Sequence, residues 1–223
     1  MTVTDVNVVK SAIFERPDDA NKGTLGSLLC VCGSYGMAGA AVMSAKGALR
    51  TGIGLAKCAL PRSIYPIVAQ TILESVYYPL SENADGRISK VNVPFLVSES
   101  CKSSATLVGC GLGVCDDTLK IVFSLIENST TPLVLDADAL NCVAKQPEIL
   151  LRKKAPIIIT PHPGEMSRLT GLATPLVNAE RERVALDFAQ KYGVVTVLKG
   201  AGTVIDSPNG KVLVNPTGNS GMA

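Results

Sequence analysis

The segments able to do chemistry are short and polar or Gly-rich, and each follows an apolar run. Thr160-Pro-His-Pro-Gly-Glu165 holds the only histidine of the chain, with a proline on either side to fix its backbone and a carboxylate three residues on. Isolated histidines are commonly structural, but one in so rigid a loop is placed for a ligand contact. Lys199-Gly-Ala-Gly-Thr203 combines a cation, two glycines that expose backbone donors and a hydroxyl. That set suits a nucleotide phosphate or ribose, and a plain turn before a hairpin is the alternative. Gly109-Cys-Gly-Leu-Gly113 either offers backbone N–H groups to an anion or simply turns the chain. Leu135-Asp-Ala-Asp-Ala-Leu-Asn141 places two carboxylates after a buried-type strand. If the strand continued, alternation would aim Asp136 and Asp138 the same way, where paired acids can organise Mg2+ through water. The competing expectation, which we favour, is that one of the two caps the next helix. Gly33-Ser-Tyr-Gly-Met-Ala-Gly39 has G-x-x-G-x-x-G spacing, so the G-x-G-x-x-G dinucleotide fingerprint is not met, and no G-x-x-x-x-G-K-[ST] phosphate loop occurs. Small residues at Gly39, Ala40 and Ala41 would still let a flat ligand lie against the backbone, or would let a helix approach the sheet closely.

These loops need elements to hold them. Apolar runs at Leu28–Cys32, Ile53–Leu60, Thr106–Val108, Leu133–Leu135, Ile157–Ile159 and Val194–Leu198 read as strands. Helical patterns cover Ala38–Arg50, with Gly52 as a stop, and Asp116–Asn128. A third helix is predicted over Asn178–Tyr192, capped by Asn178, with Glu180 in its first turn and Gly193 at its end. Thr203–Ile205 and Val212–Val214 flank Asn209-Gly210, a hairpin in which that pair supplies positive φ. Strands alternating with helices predict an α/β fold: a central, mostly parallel sheet flanked by helices in three layers, α/β/α. Ligands of such sheets bind at the carboxyl ends of the strands, and all five unusual loops fall there. The expectation is one shared site.

Composition removes several other functions. The 223 residues contain no repeat, charge block or linker, so a single domain over 1–223 is expected. Hydrophobic residues make up 47% and charged residues 18%, the reverse of a disordered chain. The net charge of +2, with five Tyr, four Phe and no Trp, gives no case for nucleic acid. No apolar run approaches the ~18 residues of a membrane span. The N-terminus carries Asp5, Lys10, Glu15 and Arg16 and lacks a secretory h-region. Cys30, Cys32, Cys58, Cys101, Cys110, Cys115 and Cys142 show no paired C-x-x-C spacing. They read as reduced thiols acting as small hydrophobes, which predicts a cytoplasmic protein.

Taken in order, Lys22-Gly-Thr-Leu-Gly26, Gly33-Ser34 with Gly39-Ala-Ala41, Ala48-Leu-Arg-Thr-Gly-Ile-Gly-Leu55, Asp136-Ala-Asp-Ala-Leu-Asn141, Thr160-Pro-His-Pro-Gly-Glu165, Leu198-Lys-Gly-Ala-Gly-Thr203 and Asn215-Pro-Thr-Gly-Asn219 span nearly the whole chain. The chain resembles the ADP-dependent NAD(P)H-hydrate dehydratases of the ribokinase-like superfamily. The resemblance implies repair of NADH and NADPH hydrated at C6 of the nicotinamide ring (NADHX and NADPHX). ADP would phosphorylate the ring hydroxyl and phosphate would then leave, giving AMP, phosphate and NAD(P)H, with Mg2+ neutralising the transferring group. Hydroxide is a poor leaving group and phosphate a good one, so a fold built to phosphorylate alcohols can run a dehydration. By motif, Ala41, Gly111 and His162 would contact the hydrated dinucleotide. Lys199, Gly200, Ala201, Gly202 and Thr203 would hold the adenine nucleotide, and Glu165 would make a water-mediated metal contact. A homo-oligomer is implied, a tetramer among the options. The family's next motif, Gly-[Thr/Ser]-Gly-Asp, supplies the expected catalytic Asp and would lie beyond Ala223. The expectation is therefore a chain truncated at its C-terminus, with no catalytic residue assigned within it. A sugar or vitamin-precursor kinase of the same superfamily, or a truncated chain that binds nucleotide without turnover, are the alternatives.

Overall fold

Runs of β-branched and aliphatic residues become strands, and patterns of 3.6-residue period become the helices between them. In the computed structural model, which describes residues 2–13, 17–21 and 23–219, the order is β1 (Thr2–Val3), α1 (Val6–Ala12), β2 (Ser27–Val31), α2 (Ala38–Arg50), β3 (Leu55–Pro61), α3 (Tyr65–Thr71), β4 (Val76–Leu80), α4 (Val93–Cys101), β5 (Ala105–Val108), α5 (Asp116–Asn128), β6 (Leu133–Leu135), α6 (Asp138–Val143), β7 (Ile157–Ile159), α7 (Pro163–Thr170), α8 (Thr174–Ala179), α9 (Arg181–Tyr192), β8 (Val195–Leu198), β9 (Thr203–Asp206) and β10 (Val212–Asn215). Lys22 of the 22–26 motif, Glu15, Arg16 and residues 220–223 lie outside the described residues. Among the described residues, no helix is long and apolar enough to cross a membrane.

The strands form one sheet in the order β1-β10-β9-β8-β7-β6-β5-β2-β3-β4. Strands β2 to β8 run parallel, as predicted, and β9 is antiparallel to both β8 and β10. The chain winds outwards in opposite directions from β2 and from β5. Those adjacent strands form the switch point at which open α/β sheets bind ligands.

The two sheet faces are covered unequally. Leu29, Val108, Leu133, Leu135, Ile157, Ile159 and Leu198 pack into one large core with α4, α5, α7 and α9. On the opposite face Cys30, Cys58 and Leu60 pack beneath α2 and α3. The same register row continues through Leu107, Val134, Ile158 and Val195, and these stay half-buried, as do Val197 and Ile205. Helices therefore layer both faces at the β2–β4 end of the sheet. The seven cysteines are free, and Cys30, Cys32, Cys58 and Cys142 are buried as small hydrophobes.

Two local expectations are corrected. The single helix over Asn178–Tyr192 is two helices, broken at Glu180 (φ −124°, ψ 40°). Pro175 starts α8 in its first turn, so Asn178 lies inside that helix and caps nothing. Val177, Val184 and Phe188 are buried on both sides of the break, so apolar spacing runs through it unmarked. Gly193 does end α9, at φ 63°. In the β9–β10 hairpin Gly210 alone supplies positive φ (80°), while Asn209 accepts from Lys211 N at 3.2 Å.

Asp206 ends β9 opposite Thr196, on the face covered by α9, and is fully buried with no hydrogen-bond partner for either carboxylate oxygen. Burial, helped by the nearby Glu182 carboxylate, pushes its carboxyl up to about 6. The folded value lies above the unfolded one, so the folded state holds the proton more tightly. The stabilisation is present at about pH 4 and is lost as the pH rises through 6. Asp206→Asn should raise stability at pH 7.5 by about 1–3 kcal/mol and leave it nearly unchanged at pH 4. Urea unfolding at the two pH values checks this, and equal gains at both would contradict it.

Candidate active site at the carboxyl ends of the strands

Each parallel strand from the switch point to β8 ends in a loop, and hydrogen bonds join these loops in series. Gly33 N donates to Cys110 O (2.9 Å), and Ser34 Oγ, itself buried, donates to Gly111 O (2.8 Å). Gly113 N donates to Asp138 Oδ2 (2.8 Å). Asp136 Oδ1 accepts from Thr160 Oγ1 and from Lys199 Nζ, both at 2.7 Å. Lys199 N donates to Pro161 O (2.8 Å). The five loops that stand out in the sequence are thus joined to one another by hydrogen bonds.

Close backbone approach makes this possible. A Cβ on Gly111 would stand 2.7 Å from Ala40 Cβ, and one on Gly33 would stand 3.1 Å from Ala41 Cβ. Ala41 itself is 2% exposed and packs into the core, so its backbone is what it can offer a ligand. Gly111 lies against the start of α2, touching Met37 and Ala40.

Asp136 and Asp138 do not face the same way. Ala137 has φ 51° and ψ −115°, a positive φ seen at no other non-glycine among the described residues. The strand stops at Leu135 and this turn separates the two acids. Neither caps α6, contrary to expectation: Asp138 is its first residue and reaches across to the Gly113 amide. Burial pushes the Asp136 carboxyl up, but the Lys199 ammonium and the Thr160 hydroxyl outweigh it and hold the carboxyl below its ordinary value.

His162 occupies the N-cap position of α7, and its Nδ1 accepts from Gly164 N (3.0 Å) and Glu165 N (3.3 Å). Glu165 Oε2 reaches back to accept from His162 N at 2.8 Å, completing a capping box. With Nδ1 accepting, the ring proton sits on Nε2, 3.5 Å from Glu165 Oε1. The His162 side chain is 51% exposed, so the ring reaches solvent. Glu165 is buried and commits both oxygens towards His162. Among the described residues no cluster of three His, Cys, Asp or Glu converges as a metal cage.

His162 thus has a structural duty beside any binding one, and two substitutions separate them. His162→Ala should cost about 1 kcal/mol through the lost cap. His162→Asn keeps a capping acceptor and should melt close to the unchanged chain. Both should impair use of a dinucleotide that contacts Nε2. Full substrate use by His162→Asn would leave the residue with its cap role alone.

In the 199–203 loop Gly200 (φ 150°) and Gly202 (φ 68°) adopt backbone that L side chains rarely reach, and Thr203 Oγ1 donates to Gly200 O at 3.1 Å. Behind the loop opens a cavity of ≈ 490 Å³ bordered by Asn178, Glu180, Arg181, Ala201, Gly202 and Val204. No sequence pattern marks Arg181. An arginine on the polar side of a helix start looks solvated, and only the fold brings it beneath the loop.

Residues 28–223 match the family described as NAD(P)H-hydrate dehydratase. The chain is 39% identical over 208 residues to the bifunctional NAD(P)H-hydrate repair enzyme of Thermofilum pendens, a match that covers 93% of this chain and 40% of that protein. The chain therefore spans about two fifths of the length of that relative. Among solved structures, it is similar to the ADP/ATP-dependent NAD(P)H-hydrate dehydratase of Bacillus subtilis co-crystallized with ATP/Mg2+, with 30% identity, a TM-score of 0.81, and coverage of 98% of this chain and 73% of that one. A ribokinase-like superfamily protein of Enterococcus faecalis shares the fold at 20% identity, with a TM-score of 0.82 and coverage of 99% and 73%.

Proposed function

Since the chain belongs to the NAD(P)H-hydrate dehydratase family, we propose that its linked strand-end loops carry out ADP-dependent dehydration of hydrated NADH and NADPH. The observation that supports this reading most directly is the pair of bonds from Asp136 to Lys199 and Thr160. They hold a loop suited to phosphate beside the loop that carries His162. In this reading Lys199, Gly200, Ala201, Gly202 and Thr203 bind the adenine nucleotide. Gly111 and the backbone at Ala41 line the dinucleotide side, and His162 donates from Nε2 to it. Phosphoryl transfer to the ring hydroxyl forms a C–O–P linkage and releases AMP. Departure of phosphate with a neighbouring ring proton then restores the dihydronicotinamide.

Mg2+, when bound, neutralises charge on the transferring phosphoryl group. The described side chains form no metal cage, and Glu165 is buried with both oxygens towards His162, so in this reading the nucleotide phosphates would supply the inner oxygens of the ion. We further read residues 1–223 as one domain of a cytoplasmic homo-oligomer.

Recovery of dihydronicotinamide near-ultraviolet absorbance from hydrated NADH, with ADP and Mg2+ and with ADP omitted, tests the proposal. ADP-dependent recovery is expected. Nucleotide turnover on a simple alcohol, with no response to hydrated NADH, would replace it with a small-molecule kinase. Binding of ADP without turnover on either substrate would leave a nucleotide-binding chain.

A further inference from the structure

The repair reading leaves one half-buried cation unused. Arg181 opens α9 directly after the break at Glu180, and its guanidinium runs beneath the loop that follows β8. Nη2 donates to Leu198 O at 2.7 Å and lies 3.5 Å from Gly202 O. One nitrogen therefore reaches the carbonyl just before Lys199 and the carbonyl just before Thr203. Nη1 and Nη2 also fill the space beside Gly200, where an added Cβ would stand 2.6 and 2.9 Å from them. Nε is buried without a partner. Among the described residues, the N–H groups of Gly200, Ala201 and Gly202 donate to no protein acceptor. Arg181 also belongs to the wall of the ≈ 490 Å³ cavity bordered by Ala201 and Gly202.

We propose that Arg181 is a positioning residue of the nucleotide site. By holding the Leu198 and Gly202 carbonyls inward, it turns the amides of residues 200–202 into a preset anion-binding nest for the phosphates of a nucleoside diphosphate. The φ of 150° favours glycine at 200, and the guanidinium also occupies the room that a Cβ would need there. The inference rests on the reading of residues 199–203 as the nucleotide loop, and it adds the element that shapes that loop.

Calorimetric titration of the full chain with ADP in the presence of Mg2+ tests it, using the unchanged protein, Arg181→Ala, Arg181→Lys and Lys199→Ala. Arg181→Ala should weaken ADP about ten- to a hundredfold. Arg181→Lys should recover part of the loss, because an ammonium reaches one carbonyl but not two. Affinity for hydrated NADH should stay within about twofold, a split that general destabilisation would not produce. Thermal unfolding of Gly200→Ala with and without Arg181→Ala completes the test. Gly200→Ala should cost less once the guanidinium is gone. ADP affinity unchanged in Arg181→Ala but weakened in Lys199→Ala would overturn the role of Arg181 alone. ADP affinity unchanged in both would overturn the nucleotide loop, and the nest with it. Strictly additive unfolding losses would show that Arg181 does not shape Gly200.

Discussion

Gly109→Ala should lose about 4 kcal/mol or more of folding stability and accumulate poorly, a loss large enough to identify its cause. Gly109 directly follows β5 with φ 120°, and an added Cβ would stand 2.0 Å from Asp136 O, 2.6 Å from Ala139 Cβ and 2.7 Å from Ala139 N. None of these atoms has room to yield. Asp136 O accepts from Ala139 N at the start of α6, Gly109 N donates to Val31 O, and Asp136 N donates to Val108 O. The added methyl would push apart three adjacent strand ends. Gly36→Ala is the control: its φ is 82°, but nothing lies within 4 Å of where its methyl would stand, so only the backbone penalty of about 1–2 kcal/mol applies. Urea unfolding of the two variants separates a steric lock from a merely unusual φ. Equal losses would show that the approach of Gly109 to Asp136 is not the constraint.

Asp136→Ala should reduce kcat/KM for hydrated NADH about a hundredfold while costing only about 1–3 kcal/mol of stability. The carboxylate is 25% exposed and its Lys199 partner 42%, so water can satisfy the released groups. What water cannot restore is alignment, because among the described residues Asp136 alone links the Thr160 loop to the Lys199 loop through side chains. Asp136→Asn retains one acceptor oxygen and should fall between. The folded carboxyl sits below its ordinary value, so this contribution is complete above the usual carboxylate range and is lost only as the pH falls through the lowered value. Activity changes between pH 6 and 8 should not come from the Asp136 carboxylate. Steady-state kinetics beside thermal melts would decide it, and parallel losses of activity and stability would make Asp136 a purely structural residue.

The parts of this fold legible in sequence are those governed by periodicity. α2 and α5 occupy the predicted Ala38–Arg50 and Asp116–Asn128, and β6 and β7 fall on their apolar triplets. Glycines at strand ends mark the candidate site, because close approach and positive φ leave few other choices. What stays hidden depends on single backbone angles or distant contacts. Ala137 adopts a conformation usual for glycine, so nothing in its residue type announces that Asp136 and Asp138 diverge. His162 caps α7 through Nδ1, a role better known for Ser, Thr, Asp and Asn. β1 pairs with β10 across almost the whole chain, beyond any local pattern. Arg181 gains its meaning only from lying under a loop formed later in the chain.

The half-covered sheet face has a thermal consequence. Heat capacity rises on unfolding in proportion to the apolar surface newly given to water. Val134, Ile158, Val195, Val197 and Ile205 already share part of their surface with solvent in the folded chain. They have less left to expose than fully layered strands would. Calorimetry should accordingly give a heat-capacity increment below the usual ~12–15 cal/mol/K per residue. The stability curve should be correspondingly flat, with a shallow optimum and a gradual decline towards both cold and heat.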